Sequence, residues 1–282
     1  YLKIFLNLIN PLDVFFWTIR KNEKDVINLY NSLSPIMQLA TGGSMLNFGY
    51  WMENTSEPIS AQENLCSYFG KLAELENAKN AVDVGSGLSA PAIFWRNNYE
   101  KLNLFCVNIN YDQLSFSGPQ RNLEFLNSTS TKLPFSDNSV DRVLALESSQ
   151  HFKPLKDFIS ESKRILKSDG ILTLALPVTL PSASFAKLGI LKFTWSSEHY
   201  GLEHVKELLI SGGFTIHDEK LIGKNVYTPL ANYYVKNRNE LKKSILQKYP
   251  KYVEQILYIS ILKMKKASEQ KIIDYVILKC RI

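Results

Sequence analysis

Two periodicities alternate along the chain. Around Ala81-Val82-Asp83-Val84 a β-branched run reads as a buried strand, and it ends in the closely spaced glycines of Gly85-Ser86-Gly87. Residues 88–96, with Pro91 tolerated in a first helical turn, supply the helix after it. Short apolar runs at 104–109, 123–126, 140–146, 171–176, 214–221 and 271–282 predict further strands. Between them, 157–167 and 205–211 read as helices that stop at Asp169-Gly170 and Gly212-Gly213. Residues 113–122 read as helical or irregular. Strands separated by helices predict an α/β protein with a parallel sheet built from βαβ units. Upstream, 25–33 reads as a helix followed by Pro35 and a Gly42-Gly43 break. The stretch 61–75 reads as a second helix, with Leu65, Tyr68, Phe69, Leu72 and Leu75 at helical spacing. Residues 228–270, rich in Lys and Tyr, read as helical.

Composition narrows this picture. With 282 residues, 45% hydrophobic and 21% charged, the chain has material for one large domain and is not disordered. Aromatics at 12% fit an apolar binding cavity or a well-filled core. Cys66, Cys106 and Cys280 are odd in number and far apart, so free thiols in a reducing, cytoplasmic setting are expected. Residues 1–20 are strongly apolar but interrupted by Lys3, Asn7, Asn10, Pro11 and Asp13, too short on either side to span a bilayer. They read as a helix covering the domain or as an in-plane, peripheral membrane contact.

Charge changes the picture at one place. The chain carries +6 net, while residues 236–271 hold ten Lys/Arg against three Asp/Glu. A solvated helical face explains this run, as would a surface for nucleic acid or acidic lipid. No metal site is expected, because His199 and His204 lack acidic or Cys partners at ligand spacing.

The candidate chemistry gathers at the glycine turn. Gly85 and Gly87 let the backbone approach a ligand, and the next helix offers unpaired N–H groups. A Gly-x-Gly turn also serves simply to turn a corner. Four further stretches stand in order after it: Val107-Asn108-Ile109-Asn110-Tyr111-Asp112-Gln113-Leu114, Leu133-Pro134-Phe135-Ser136-Asp137-Asn138-Ser139-Val140-Asp141, Glu147-Ser148-Ser149-Gln150-His151-Phe152 and Ser162-Lys163-Arg164-Ile165-Leu166-Lys167-Ser168-Asp169-Gly170. Together with Asp83-Val84-Gly85-Ser86-Gly87, this series resembles the class I S-adenosylmethionine-dependent methyltransferases. The aromatic loop Asn47-Phe48-Gly49-Tyr50-Trp51 resembles that of their small-molecule branch, the tocopherol and natural-product enzymes. The resemblance covers roughly residues 30 to 222 and the last strand.

The resemblance implies a Rossmann-like doubly wound sheet, mostly parallel with an antiparallel last strand. It implies a division into an N-terminal helical cover (1–75), a core (76–227), a helical lid insertion (228–270) and a final strand (271–282). It also implies S-adenosylmethionine as cofactor, with S-adenosylhomocysteine as its product. Gly85, Ser86 and Gly87 would approach its amino-acid portion, with Asp83 holding the ammonium and Tyr50 and Trp51 closing over the methionine end. Asn108 would meet the ribose, Gln113 would belong to the cofactor site, Ile109 would pack on adenine, and Thr129 and Ser130 would meet its edge. Leu146 and Glu147 would line the floor. Three positions depart from the pattern: Ser89 stands for the third glycine, and Asn108 and Thr129 stand for acids. Each neutral replacement forfeits about 1 kcal/mol, roughly tenfold in affinity at most.

His151, just beyond the fourth strand, is the candidate general base, since ligands bind at that edge of open sheets and its ordinary pKa suits proton removal near neutrality. A structural hydrogen bond at a helix start is the alternative. Glu147 could hold a substrate hydroxyl or orient the cofactor. Tyr227, Tyr233 and Tyr234 could line a substrate pocket or pack inside the lid. These residues point to methyl transfer to an oxygen or carbon of a lipophilic small molecule. A second reading is a protein of the same fold that catalyses a cyclisation or rearrangement, or serves as a binding subunit. Nucleic acid is the least expected partner, since no RNA-binding module is visible.

Overall fold

The computed structural model describes residues 22–119 and 121–282, so the apolar segment 1–20 lies outside the described residues. A seven-stranded sheet runs in the order β3-β2-β1-β4-β5-β7-β6. Its strands are β1 (Asn80–Val84), β2 (Asn103–Asn108), β3 (Leu123–Asn127), β4 (Val140–Leu146), β5 (Leu166–Thr179), β6 (Thr215–Leu221) and β7 (Ile273–Arg281). The first five pair in parallel, and β7 runs antiparallel to both β5 and β6. Residues 81–84 of β1 are buried on both faces, as a central parallel strand requires. The chain leaves β1 outward through β2 and β3, then returns to its other side as β4. That reversal opens a crevice at the carboxyl ends of β1 and β4.

Helices bury the two faces of the sheet. On one, Leu65 and Phe69 of α2 (Pro58–Leu72) and Trp95 of α3 (Ala90–Asn98) pack against Ala81, Leu104 and Cys106. Between α3 and β3 lies α4 (Tyr111–Phe116). On the other face, Phe158, Ile159 and Ile165 of α5 (Leu155–Ile165) join Val82, Val84 and Val143. Here the sequence reading needs correction. The expected helix over 157–167 ends at Ile165, and Asp169-Gly170 falls inside the 14-residue β5 rather than closing the helix. Leu166 already pairs with Val140, whereas Ile171 pairs with Arg142, so the intervening residues bulge out of the ladder. Gly170 sits at this fold-back, where an added Cβ would lie 2.8 Å from the Lys167 carbonyl.

Before the sheet stands α1 (Glu23–Thr41). It begins with a capping box in which Asn22 and Asp25 exchange hydrogen bonds of 3.1 and 3.2 Å. The helix was expected to end before Pro35, yet it continues to Thr41. Proline removes one N–H donor there, and the full burial of Ile36 beyond it offsets the loss. After β5 come α6 (Phe185–Leu188), α7 (Leu191–Thr194) and α8 (Leu202–Ser211). Between β6 and β7 lie α9 (Tyr227–Lys236), α10 (Arg238–Leu246) and α11 (Lys251–Glu269). Arg238 ties α10 to α11: it bonds the fully buried Glu254 at 2.9 Å, and its guanidinium lies 3.4 Å from the Tyr258 ring centroid. Among the described residues, no helix is long and apolar enough to cross a membrane.

Candidate active site

The turn after β1 is shaped by backbone constraint. Gly85 adopts φ +75°, and a Cβ there would lie 2.4 Å from the Ser148 Cβ, so only glycine fits. The Gly85 and Ser86 N–H groups both donate to the Val107 carbonyl, at 2.7 and 3.2 Å. Ser148 Oγ, in the turn after β4, donates to the Val84 carbonyl at 2.6 Å. The ends of β1, β2 and β4 are thereby locked together. Ser89, standing for a third glycine, takes the left-handed φ of 57° all the same.

A cavity of about 980 Å³, open mouth included, runs over these strand ends. Gly85, Ser86, Gly87, Asn108, Ile109, Gln113, Ser130, Leu146, Glu147 and His151 all line it. Tyr50, Trp51, Asp83 and Thr129 do not. For the two aromatics this corrects the expectation of cofactor contact. The Tyr50 N–H donates to the Ala61 carbonyl at 2.7 Å and the Trp51 N–H to the Asn225 carbonyl at 2.8 Å, and both rings pack on neighbouring aromatics. Tyr50 stacks on Tyr68 and Trp51 packs against Tyr233. Leu46, Asn47 and Ser44 of the same loop line the cavity in their place.

The Asn108 amide, which lines the cavity, is also engaged within the protein. Its Nδ2 donates to the Gly87 carbonyl at 3.2 Å and to Gln113 Oε1 at 2.9 Å, while its Oδ1 accepts from the Asn110 N–H. The chain of bonds continues into α1: Gln113 Nε2 donates to Ser34 Oγ at 3.0 Å, and Asn110 Nδ2 to Asn31 Oδ1 at 2.7 Å. Sequence reasoning missed these helix residues. The local signal was weak, since polar positions 28, 31, 32 and 34 alternate with Leu29 and Leu33 as on any amphipathic helix.

Two buried carboxyls flank the turn. Asp83 is 3% exposed, its Oδ2 has no hydrogen-bond partner, and burial pushes its pKa up to about 7. Glu147 holds a positive φ of 52° at the end of β4. Its Oε1 accepts from the Phe48 N–H at 2.9 Å and from the Tyr275 hydroxyl at 3.0 Å. Burial nonetheless raises its pKa to about 8.

A second cavity, about 1300 Å³ with its mouth, adjoins the first. Its walls are apolar side chains of α1, α9 and α11, among them Leu33, Ile36, Leu230, Ile256, Leu257 and Met264. Tyr233 and Tyr234 line it, whereas Tyr227 is buried in the core. Tyr30, Leu46, Asn47, Glu147 and His151 line both cavities. His151 shares a 2.8 Å hydrogen bond through Nε2 with the Tyr30 hydroxyl and a 2.6 Å bond through Nδ1 with Ser197 Oγ. Ser197 and Tyr30 were not foreseen either. Among the described residues, no group of three or more His, Cys, Asp and Glu side chains is placed to hold a metal ion.

Residues 82–174 match the family model described as a methyltransferase domain. The chain is 25% identical over 248 residues to the erythromycin 3''-O-methyltransferase of Saccharopolyspora erythraea, covering 81% of each. The chain thus contains a methyltransferase domain, and over most of its length it is similar to class I S-adenosylmethionine-dependent methyltransferases. The next curated relatives are matched over 57% and 43% of their own length. In fold, the methyltransferase is similar to the cyclopropane synthase MmaA2 of Mycobacterium tuberculosis, at TM-score 0.78 and 16% identity, over 97% of this chain and all of that one. It is also similar to the [4+2]-cyclase SpnF, at TM-score 0.75 and 20% identity, over 92% and 96%. The cofactor this family implies fits the residues present. The Gly85 turn leaves room that any side chain would fill, while Asp83, whose buried Oδ2 has no hydrogen-bond partner, does not itself line the cavity.

Proposed function

We propose that the protein transfers a methyl group from S-adenosylmethionine to an oxygen or carbon of a lipophilic small molecule. The observation that carries this reading is the shared boundary of the two cavities, where Glu147, His151 and Tyr30 face both. When bound, S-adenosylmethionine supplies a methyl carbon on a sulfonium; attack by the acceptor breaks the C–S bond, and the sulfur keeps the bonding pair. The protein's work is then positioning, exclusion of water and proton removal. The apolar second cavity desolvates the acceptor. Glu147, kept neutral by burial, can donate a hydrogen bond to an acceptor oxygen and orient its lone pair. His151 takes the acceptor's proton at Nε2, directly or through the Tyr30 hydroxyl, while Ser197 fixes the ring from Nδ1. In this reading the helices before residue 75 and from 228 to 270 form the acceptor side, and residues 76–227 the cofactor side. The relation to a macrolide-tailoring enzyme supports an oxygenated natural product as acceptor.

Isothermal titration with S-adenosylmethionine and S-adenosylhomocysteine tests the cofactor. Micromolar binding of both is expected, and no binding at millimolar ligand overturns the proposal. Incubation with labelled cofactor and a panel of macrolides, terpenoids, quinones and fatty acids then tests transfer. A second reading, cyclisation without methyl transfer, is supported by the similarity in fold to SpnF and by the neutral Asn108 and Thr129. It is distinguished by cofactor binding with no consumption of the methyl group on any acceptor.

A further inference from the structure

The cavity follows the sheet edge in strand order. Leu146 and Glu147 end β4, Gly85 follows β1, Asn108 and Ile109 end β2, and Ser128 and Ser130 follow β3. Four adjacent strands span about 14 Å from first to last. If the reactive centre lies at Glu147 and His151, as proposed above, the far end of an extended cofactor lies beyond Ile109, against β3. Ile109 and, from α1, Val26 and Ile27 also line the cavity, apolar surface of the kind a flat ring packs on. At its rim stands a carboxylate that the family motifs do not provide: Glu23, from the first turn of α1, lines the cavity and accepts a hydrogen bond from Thr129 Oγ1. Lys153, the other charged group near the mouth, is paired with Glu198 at 2.8 Å. Glu147 is engaged by Phe48 and Tyr275.

We infer that Glu23 reads the amino-bearing edge of the adenine ring, replacing from the cover helix the acid that position 129 lacks. Thr129 donates to one carboxylate oxygen and so leaves the other to accept from an exocyclic N–H. The assignment rests on the cofactor reading above. It makes α1 a specificity element for the cofactor as well as a wall for the acceptor.

The test compares S-adenosylhomocysteine with its 6-oxo analogue, S-inosylhomocysteine, by calorimetric titration of the whole protein. The oxo group offers an acceptor where the amine offers a donor, and a charged hydrogen bond lost on burial is worth about tenfold to a hundredfold. The unaltered protein is expected to prefer the amino ligand by that factor. Glu23→Gln, whose amide can donate to the oxo group, should bring the preference to within about threefold. Glu23→Ala should weaken S-adenosylhomocysteine about tenfold, and Thr129→Asp in that background should restore it. Glu23 is exposed at a helix start, so these variants should fold. Full preference retained in Glu23→Gln, or no recovery with Thr129→Asp, overturns the assignment alone. Failure of the unaltered protein to bind S-adenosylhomocysteine overturns the cofactor reading and this assignment with it.

Discussion

The two cavities meet at Glu147 and His151 but are made by different physics. The cofactor-side cavity is shaped by backbone: left-handed residues at Gly85, Gly87, Ser89 and Glu147, and side-chain amides that satisfy turn carbonyls. The acceptor-side cavity is shaped by side-chain volume on α1, α9 and α11. Geometry of the first kind is intolerant, because one methyl group at Gly85 collides with the Ser148 Cβ, which the turn fixes. Geometry of the second kind is graded, because apolar walls can repack at modest cost. Under the proposed function, the same sheet edge would hold a fixed ligand on one side and an adjustable one on the other.

Substitutions at the junction and in each wall should separate the two. His151→Ala carries the largest expected effect: a fall of about 10²- to 10⁴-fold in turnover on a hydroxyl acceptor, with S-adenosylhomocysteine affinity within twofold. Retained turnover rules out His151 as base. Gly85→Ala should weaken S-adenosylhomocysteine more than about a hundredfold, roughly 3 kcal/mol, since its Cβ would sit 2.4 Å from Ser148. Unchanged binding would show that the turn yields, and that the first cavity is as plastic as the second. Leu33→Phe, in the apolar wall, should raise KM for a bulky acceptor about tenfold and leave cofactor affinity alone, a pattern read by steady-state kinetics beside calorimetry. The smallest effect is on stability. Asp83 and Glu147 have raised folded-state pKa values, about 7 and about 8, so the folded state holds protons that the unfolded state releases. Stability of the unliganded protein should therefore fall as pH rises from about 4 to about 8 and level off above that. Glu147→Gln should flatten the slope and raise the melting temperature at pH 8 by about 5 °C.

Sequence reading reached the first cavity far better than the second, and the same contrast explains why. The turn at 85–87, the Asn110 cap of α4 and the end of β4 are local events, written in residues whose φ preference or side-chain oxygen has few other uses. The alternating pattern gave the strands, and the strand ends gave most of the lining. What escaped was long-range. Nothing near Tyr30 shows that its hydroxyl meets a histidine 121 residues later, nor that Ser34 meets Gln113. The aromatic loop misled because Tyr50 and Trp51 are held by Ala61 and by the turn at Asn225, a contact 174 residues away. Pro35 misled for a related reason. It marks a helix end only when no tertiary burial continues beyond it.

One feature of α1 bears on timing. Its Glu23, Val26 and Ile27 face one cavity, its Leu33, Ile36 and Met37 face the other, and Tyr30 faces both. A ligand that settles this helix on one side lowers the entropic cost of ordering it for the ligand on the other. The resulting cooperativity is reciprocal, so acceptor must tighten cofactor by the factor by which cofactor tightens acceptor. Under the proposed function the helix would couple two otherwise separate binding equilibria, whichever ligand arrives first.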